Sequence, residues 1–272
     1  LIHDILKKDR AVRVGFEPDS FTYSEISVLK KRVRGLKFIP TAGALESLRV
    51  IKDPCEIRYL RKACEDGLLA MSHGLKNLNA GHTERSLKRE IEFYLLKKDI
   101  EPAGFEIMVA SGSNSSMPHA AATDKKIRRG EIVIIDLGAK NYGYNSDLTR
   151  TIFLGRIERK YSDIYRIVLD AQKKAIDNIK PGIKAGYIDN ISRSYIYEKG
   201  FGKYFVHSLG HGVGLETHEQ PRLSPGCDTV LRQGMTVTVE PGIYIPGWGG
   251  VRIEDVVLIT KDSREILTGG AR

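Results

Sequence analysis

Residues 131–155, EIVIIDLGAKNYGYNSDLTRTIFLG, open with four consecutive apolar β-formers, Ile132 to Ile135, and place an acid, Asp136, at the end of that run. Gly138, Asn141, Gly143 and Asn145 follow as turn residues, and the chain passes Asp147 into a second β-rich run, Thr149 to Leu154. Two strands with a Gly/Asn-rich connection predict a hairpin. It carries one carboxylate on each arm, so Asp136 and Asp147 can face one another. An acid directly after four buried-type residues is costly without a partner. Either acid alone reads as a turn Asp; the pair gains weight because the chain repeats the pattern.

The repeat is GMTVTVEPGIYIPGWGGVRIEDVVLIT, residues 234–260. A β-run, Met235 to Val239, ends in Glu240; a Pro/Gly-rich bend follows; the returning strand, Val251 to Ile259, is interrupted by Glu254 and Asp255. Two acid-tipped hairpins separated by a partly helical stretch predict duplicated halves whose acids meet at a pseudo-two-fold axis. Between them lies HSLGHGVGLETHEQPR, residues 207–222, with His207, His211 and His218. Four carboxylates in one cleft repel one another, and a bound dication relieves that repulsion. Oxygen-rich ligation with one imidazole suits hard or borderline divalent ions, namely Mn, Co, Zn or Fe.

The surrounding chain has 272 residues, 41% hydrophobic and 28% charged, the composition of a globular protein able to bury a large core. No apolar run approaches the roughly 20 residues of a membrane span, and no signal peptide is visible. Three cysteines without a CxxC pattern read as free thiols of a cytoplasmic chain. The net charge of +9 raises a nucleic-acid reading. The basic residues are instead scattered among acids, with one compact run, Lys30 to Arg34, on a predicted helix face, so no nucleic acid and no membrane are expected as partners.

Residues 1–48 read as the remnant of an N-terminal α/β domain: a strand over 11–16, a helix over 23–34 and a strand over 36–39. A truncated front is the expectation there. Asp53-Pro54-Cys55-Glu56 then spells a helix start, with Asp as cap, Pro at the first helical position and Glu able to complete a capping box. That helix should run to about Leu78 with Ile57, Leu60, Cys64 and Leu68 inward. The next, capped around Gly81 to Thr83, carries Leu87, Ile91, Tyr94 and Leu95. A strand over 105–110 leads to a loop with His119. Helices over 161–180 and 188–198 precede the second hairpin. The order helix, helix, strand, hairpin thus occurs twice.

Together, DLG-x7-SDLTRT, HSLGHGVGLETHE-x-P, VEPGIYIP and GGVRIED resemble the proline-specific metallopeptidases of the pita-bread fold, the Xaa-Pro dipeptidase and aminopeptidase P family. LRVIKDPCEIRYLRKA, residues 48–63, resembles the start of that family's catalytic domain. The resemblance implies an α+β pita-bread fold over 49–272. It places Asp136, Asp147, His211, Glu240 and Glu254 at five metal-ligand positions: Asp136 on one ion, His211 and Glu240 on the other, Asp147 and Glu254 bridging. Glu240 would also move the proton of the attacking water. His218 and His119 are implied as catalytic, with His218 on the oxyanion, and His207 as substrate-binding.

Arg252 and Arg222 are candidates for a substrate carboxylate, because guanidinium pairs with it bidentately; a surface ion pair is the alternative for Arg222. Tyr144 and Thr149 are candidate donors to the ligand carboxylates. The expected activity is dinuclear metal-dependent hydrolysis of Xaa-Pro dipeptides by a homodimer. Alternatives are aminopeptidase P acting on longer Xaa-Pro peptides, methionine aminopeptidase, and a non-catalytic pita-bread peptide-binding module. The last is disfavoured because none of the five ligand positions is substituted.

Overall fold

The computed structural model describes residue 5 and residues 12–33, 35–156 and 158–270. The chain divides into two compact units, Leu1–Leu48 and Arg49–Arg272. In the first, β1 (Arg13–Phe16) and β2 (Lys37–Pro40) pair in parallel, and α1 (Tyr23–Arg32) connects them. Thr22 caps α1 and Glu25 completes a capping box, while Ile26 and Val33 are buried. The expected ends of the first strand and helix, Ala11 and Arg34, lie outside the described residues. A short helix not anticipated from sequence, α2 (Ala44–Arg49), reaches the boundary between the units.

The second unit opens with α3 (Pro54–Asn77), begun by the Asp53 cap, Pro54 and the Asp53–Glu56 capping box. Its inward face is not quite the expected stripe. Leu60 and Cys64 are buried, but Ile57 and Leu68 are half-buried, and Ala63, Gly67 and Ala70 lie inside instead. Small residues let the helix approach the first hairpin closely: a β-carbon on Gly67 would lie 2.9 Å from Ser146 Oγ. α4 (Glu84–Lys97), capped by Thr83, buries Leu87, Ile91 and Leu95.

After the two-residue strand β3 (Glu101–Pro102), β4 (Met108–Ser111) pairs antiparallel with β5 (Ile132–Leu137), which pairs with β8 (Leu148–Phe153). The hairpin continues beyond Leu137 as a separate ladder, β6 (Ala139–Asn141) with β7 (Tyr144–Asn145). Tyr142 and Gly143 join these with φ of 47° and 85°. Both are positive, as in the primed two-residue turns that match strand twist.

The second half repeats the order with α5 (Arg159–Asn178), α6 (Ala185–Glu198), β9 (Gly210–Gly212) and β10 (Glu219–Leu223). β11 (Thr236–Val239) pairs with β14 (Asp255–Ile259), and the tip forms its own ladder, β12 (Gly242–Ile245) with β13 (Gly249–Arg252). A last strand, β15 (Arg264–Ile266), edges β14. Each half therefore has an outer strand pair bearing a broken inner pair, and the acids sit at the breaks. Each half also has its own apolar core. One gathers Met71, Leu87, Ile91, Val133 and Ile135; the other gathers Val168, Ile188, Val237, Val251 and Val257. The halves join where Glu254 N donates to Thr149 O at 3.2 Å.

Candidate metal centre

Strand pairing fixes where the acids stand. Asp136 near the end of β5 is opposite Thr149 of β8, so Asp147 lies just beyond that pair on the other arm. Val239 is opposite Asp255, which puts Glu240 and Glu254 just past the end of the β11–β14 ladder. β9 pairs with β11 at Gly212 and Val237, bringing the neighbouring His211 to the same end. Nε2 of His211 is 3.3 Å from Glu240 Oε1 and 3.7 Å from Asp147 Oδ2. Ligand atoms of Asp147, His211 and Glu254 all fall within 4.8 Å of one another.

The neighbours orient each group. Nδ1 of His211 lies 3.0 Å from Gly212 O; a carbonyl only accepts, so Nδ1 carries the proton and Nε2 is turned to the acids. Thr149 Oγ1 donates to Glu254 Oε2 at 2.6 Å, and Thr238 Oγ1 donates to Glu240 Oε1 at 3.1 Å. Arg252 is buried, and its Nη2 donates to Asp136 Oδ2 at 2.5 Å. Behind Glu254, Arg150 donates to Glu254 O, Thr149 O, Thr268 O and the Asp255 carboxylate. Gln172 of α5 donates to the other Asp255 oxygen and to Val239 O. The backbone beside both second-half acids is thereby held.

Several sequence expectations change. Arg252 places its five N–H groups on Thr149, Pro118, Tyr244, Asp136 and the Met108 sulfur. No donor is left over for a substrate carboxylate, so Arg252 holds Asp136 instead. Tyr144 does not reach a ligand acid: its hydroxyl donates to Glu56 Oε1 at 2.7 Å. Thr149 does donate to Glu254, as anticipated. Arg222, on β10, is exposed and forms no ion pair among the described residues.

The histidines divide by environment. His207 is half-buried, with Nδ1 2.7 Å from Ser208 O and Nε2 3.0 Å from the Tyr244 hydroxyl. Burial pushes its pKa down, which keeps it neutral. His218 is exposed and its ring lies 4.3 Å from that of His211. Partial burial and the positive charge of His211 lower its pKa too. His119 is exposed on a loop tied to the cluster by Pro118 O, which accepts from Arg252 at 3.0 Å. Tyr244, within the VEPGIYIP motif, was not anticipated. Its hydroxyl accepts from Arg252 Nη1 at 2.8 Å, so its own proton goes to His207.

The electrostatics favour a cation. Burial, and then the charge of Asp136, drive Asp147 well above the carboxylate range; burial and the charge of Asp147 do the same to Glu254. Burial disfavours charged His211, but the hydrogen bond and charge of Glu240 outweigh it and raise the imidazole to about 9. Burial likewise opposes ionised Glu240, and His211 overcomes it, bringing Glu240 to about 2. Asp136 Oδ1 is buried without a hydrogen-bond partner among the described residues. Such an orphaned acceptor is uncommon in a folded chain. Crowded acids that must otherwise hold protons, one imidazole nitrogen turned inward and one orphan oxygen fit divalent metal.

Residues 58–261 match the model of metallopeptidase family M24, and residues 1–51 match the creatinase/prolidase N-terminal domain. An Xaa-Pro dipeptidase of Pyrococcus horikoshii is 47% identical over 249 residues, covering 92% of this chain and 71% of the relative. The structure of an Xaa-Pro dipeptidase from Bacillus anthracis superposes with a TM-score of 0.97 at 44% identity, over 100% of this chain and 76% of that one. An X-Pro aminopeptidase from Thermotoga maritima gives a TM-score of 0.94 at 34% identity, over 100% and 77%. The duplicated hairpins are thus those of the pita-bread fold, and the chain belongs to metallopeptidase family M24.

Proposed function

We propose that this chain hydrolyses the peptide bond between an N-terminal residue and proline, with Xaa-Pro dipeptides as substrates. Two divalent ions, drawn from Mn, Co, Zn or Fe, would be held by Asp136, Asp147, His211, Glu240 and Glu254. The observation that carries this reading is the cluster of Asp147, His211 and Glu254, with Glu240 3.3 Å from His211 and the charge of Asp136 acting on Asp147, while Asp136 Oδ1 is buried without a hydrogen-bond partner among the described residues. Relatives named Xaa-Pro dipeptidase support the substrate class. No helix among the described residues is long and apolar enough to cross a membrane. We extend the reading to a cytoplasmic homodimer on the family resemblance; sedimentation of the purified protein tests the dimer.

Held there, divalent ions would supply Lewis acidity towards the scissile carbonyl and lower the pKa of a water towards neutrality. Glu240 is the acceptor for that water's proton and returns it towards the leaving nitrogen. That nitrogen belongs to a tertiary amide and has no proton of its own, so it must be given one as the bond breaks. His218, uncharged at neutral pH, donates an N–H to the oxygen on which negative charge develops. His119 and His207 flank the scissile bond. Arg222, exposed and without an ion pair among the described residues, offers its guanidinium to the carboxylate of the substrate proline. Arg252 aims Asp136 through its hydrogen bond and opposes, without overcoming, the effect of burial on that carboxyl.

A second reading, aminopeptidase P, draws on the superposition with the X-Pro aminopeptidase. One panel tests both: Xaa-Pro dipeptides, longer Xaa-Pro-Yaa peptides and a Met-Ala-Ser peptide, each with added Mn, Co, Zn or Fe. Preference for the dipeptides supports the first reading and preference for the longer Xaa-Pro peptides the second. Cleavage of Met-Ala-Ser alone refutes both.

A further inference from the structure

Of the motifs in the sequence, LRVIKDP at residues 48–54 is not used by the proposed chemistry. The structure gives two of its residues a destination. Lys52, with a side chain 1% exposed, donates through Nζ to Glu219 Oε2 at 3.0 Å. Arg49 Nη2 donates to Glu219 Oε1, and that same oxygen accepts from the backbone N–H of Glu216 at 3.1 Å. The Glu219 side chain is only 5% exposed. One carboxylate thus closes the four-residue turn Glu216–Glu219 and ties it to the segment leading into α3.

The turn has little other freedom. Gly214 N donates to Glu216 O at 3.0 Å, and a β-carbon on Gly214 would lie 2.6 Å from Glu219 Oε2, so the carboxylate occupies the space a side chain would need. From the first hairpin, Asn145 Nδ2 donates to Gly214 O at 3.1 Å and to Leu215 O at 2.9 Å. Lys52 is itself anchored, its N–H donating to Gly234 O at 2.9 Å. A buried ion pair is a poor source of net stability, since desolvation offsets much of the attraction, but it fixes direction and becomes costly when one partner is lost. Here the fixed object is the turn carrying His218.

We propose that Glu219 is a positioning residue for His218, latched by Lys52 and Arg49 so that the turn presents the imidazole to the cleft at one distance and angle. This rests on the reading of His218 given under the proposed function. Misplacing a catalytic group by about 1 Å can cost on the order of 10²-fold in rate, so a latch outside the cleft has a kinetic consequence.

The test uses the metal-loaded full chain and two readouts. In Glu219→Gln, and separately in Lys52→Met, amide hydrogen exchange over residues 214–218 is compared with the parent. Metal content, kcat and KM for an Xaa-Pro dipeptide are measured on the same samples and again in the His218→Ala background. The expected result is faster exchange over 214–218, unchanged metal content, and a kcat lowered about 10–100-fold with KM little changed. In the His218→Ala background, Glu219→Gln should cost nothing further. Unchanged exchange overturns the latch. Loss of metal, or an undiminished further loss in the His218→Ala background, overturns the assignment to His218. Should Glu219→Gln not fold, Arg49→Gln at the partly exposed rim removes one of the three bonds and carries the same test at smaller amplitude. Failure of the parent to hydrolyse Xaa-Pro substrates would count against the proposed function, and the exchange comparison would still decide the latch.

Discussion

Replacing Thr149 with Val should weaken metal binding without touching any proposed ligand. The change is nearly isosteric and removes the hydroxyl that donates to Glu254 Oε2 at 2.6 Å and accepts from Arg252 Nε at 3.1 Å. A hydrogen bond to a charged partner is worth about 1.5–3 kcal/mol net. Glu254 already sits well above the carboxylate range because burial, then Asp147 and Glu240, oppose its ionised form. Losing a donor to that form raises it further, so a metal ion must displace a more tightly held proton. At about 1.4 kcal/mol per tenfold, apparent affinity should fall about 10–100-fold wherever Glu254 is protonated in the metal-free chain. The deficit should therefore be largest in acid and shrink as pH rises past the Glu254 titration. Chelator competition with Mn at several pH values measures it, and turnover at saturating metal should be largely retained. Unchanged affinity in acid, or a deficit that grows with pH, would refute the reasoning.

His218→Ala and His119→Ala should retain metal while losing about 10²–10⁴-fold in turnover, checked by metal analysis beside kcat; metal loss would mean that the histidine is a ligand. Arg222→Ala should raise KM for Xaa-Pro dipeptides more than for the corresponding C-terminal amides, because the amide has no carboxylate to pair. Glu219 is held below its ordinary value: burial opposes the ionised form, and Lys52 and the Glu216 N–H overcome it. Its stabilising contribution is therefore present above the unfolded value of about 4.3 and lost as pH falls through the lower folded value. The melting-temperature gap between the parent and Glu219→Gln should accordingly close as pH drops through that window.

Much of the catalytic frame was legible because its signals are local. Asp136 and Glu240 each end a β-run, the helix start at Asp53 is spelled within four residues, and the repeated element order is visible along the chain. The misses share a physical cause. Arg252 and Asp136 are 116 positions apart, and Tyr144 and Glu56 are 88 apart. Nothing near a side chain in sequence reports such a partner. The broken inner ladders and the three-residue strands β9 and β15 are too short for periodicity to mark. On α3 the inward face is built from Ala63, Gly67 and Ala70, chosen for close approach rather than apolar bulk, and a hydrophobic stripe overlooks such residues.

The location of bound metal tests the central claim most directly. Crystals of the parent, loaded with Mn and measured at an X-ray energy where Mn scatters anomalously, should show two adjacent peaks. Asp136 should contact one, His211 and Glu240 the other, with Asp147 and Glu254 touching both. Asp147→Ala and Glu254→Ala crystals treated in the same way should lose that pair of peaks, because each variant removes a shared ligand. Two full peaks in either variant, or peaks placed away from these five side chains in the parent, would contradict the account.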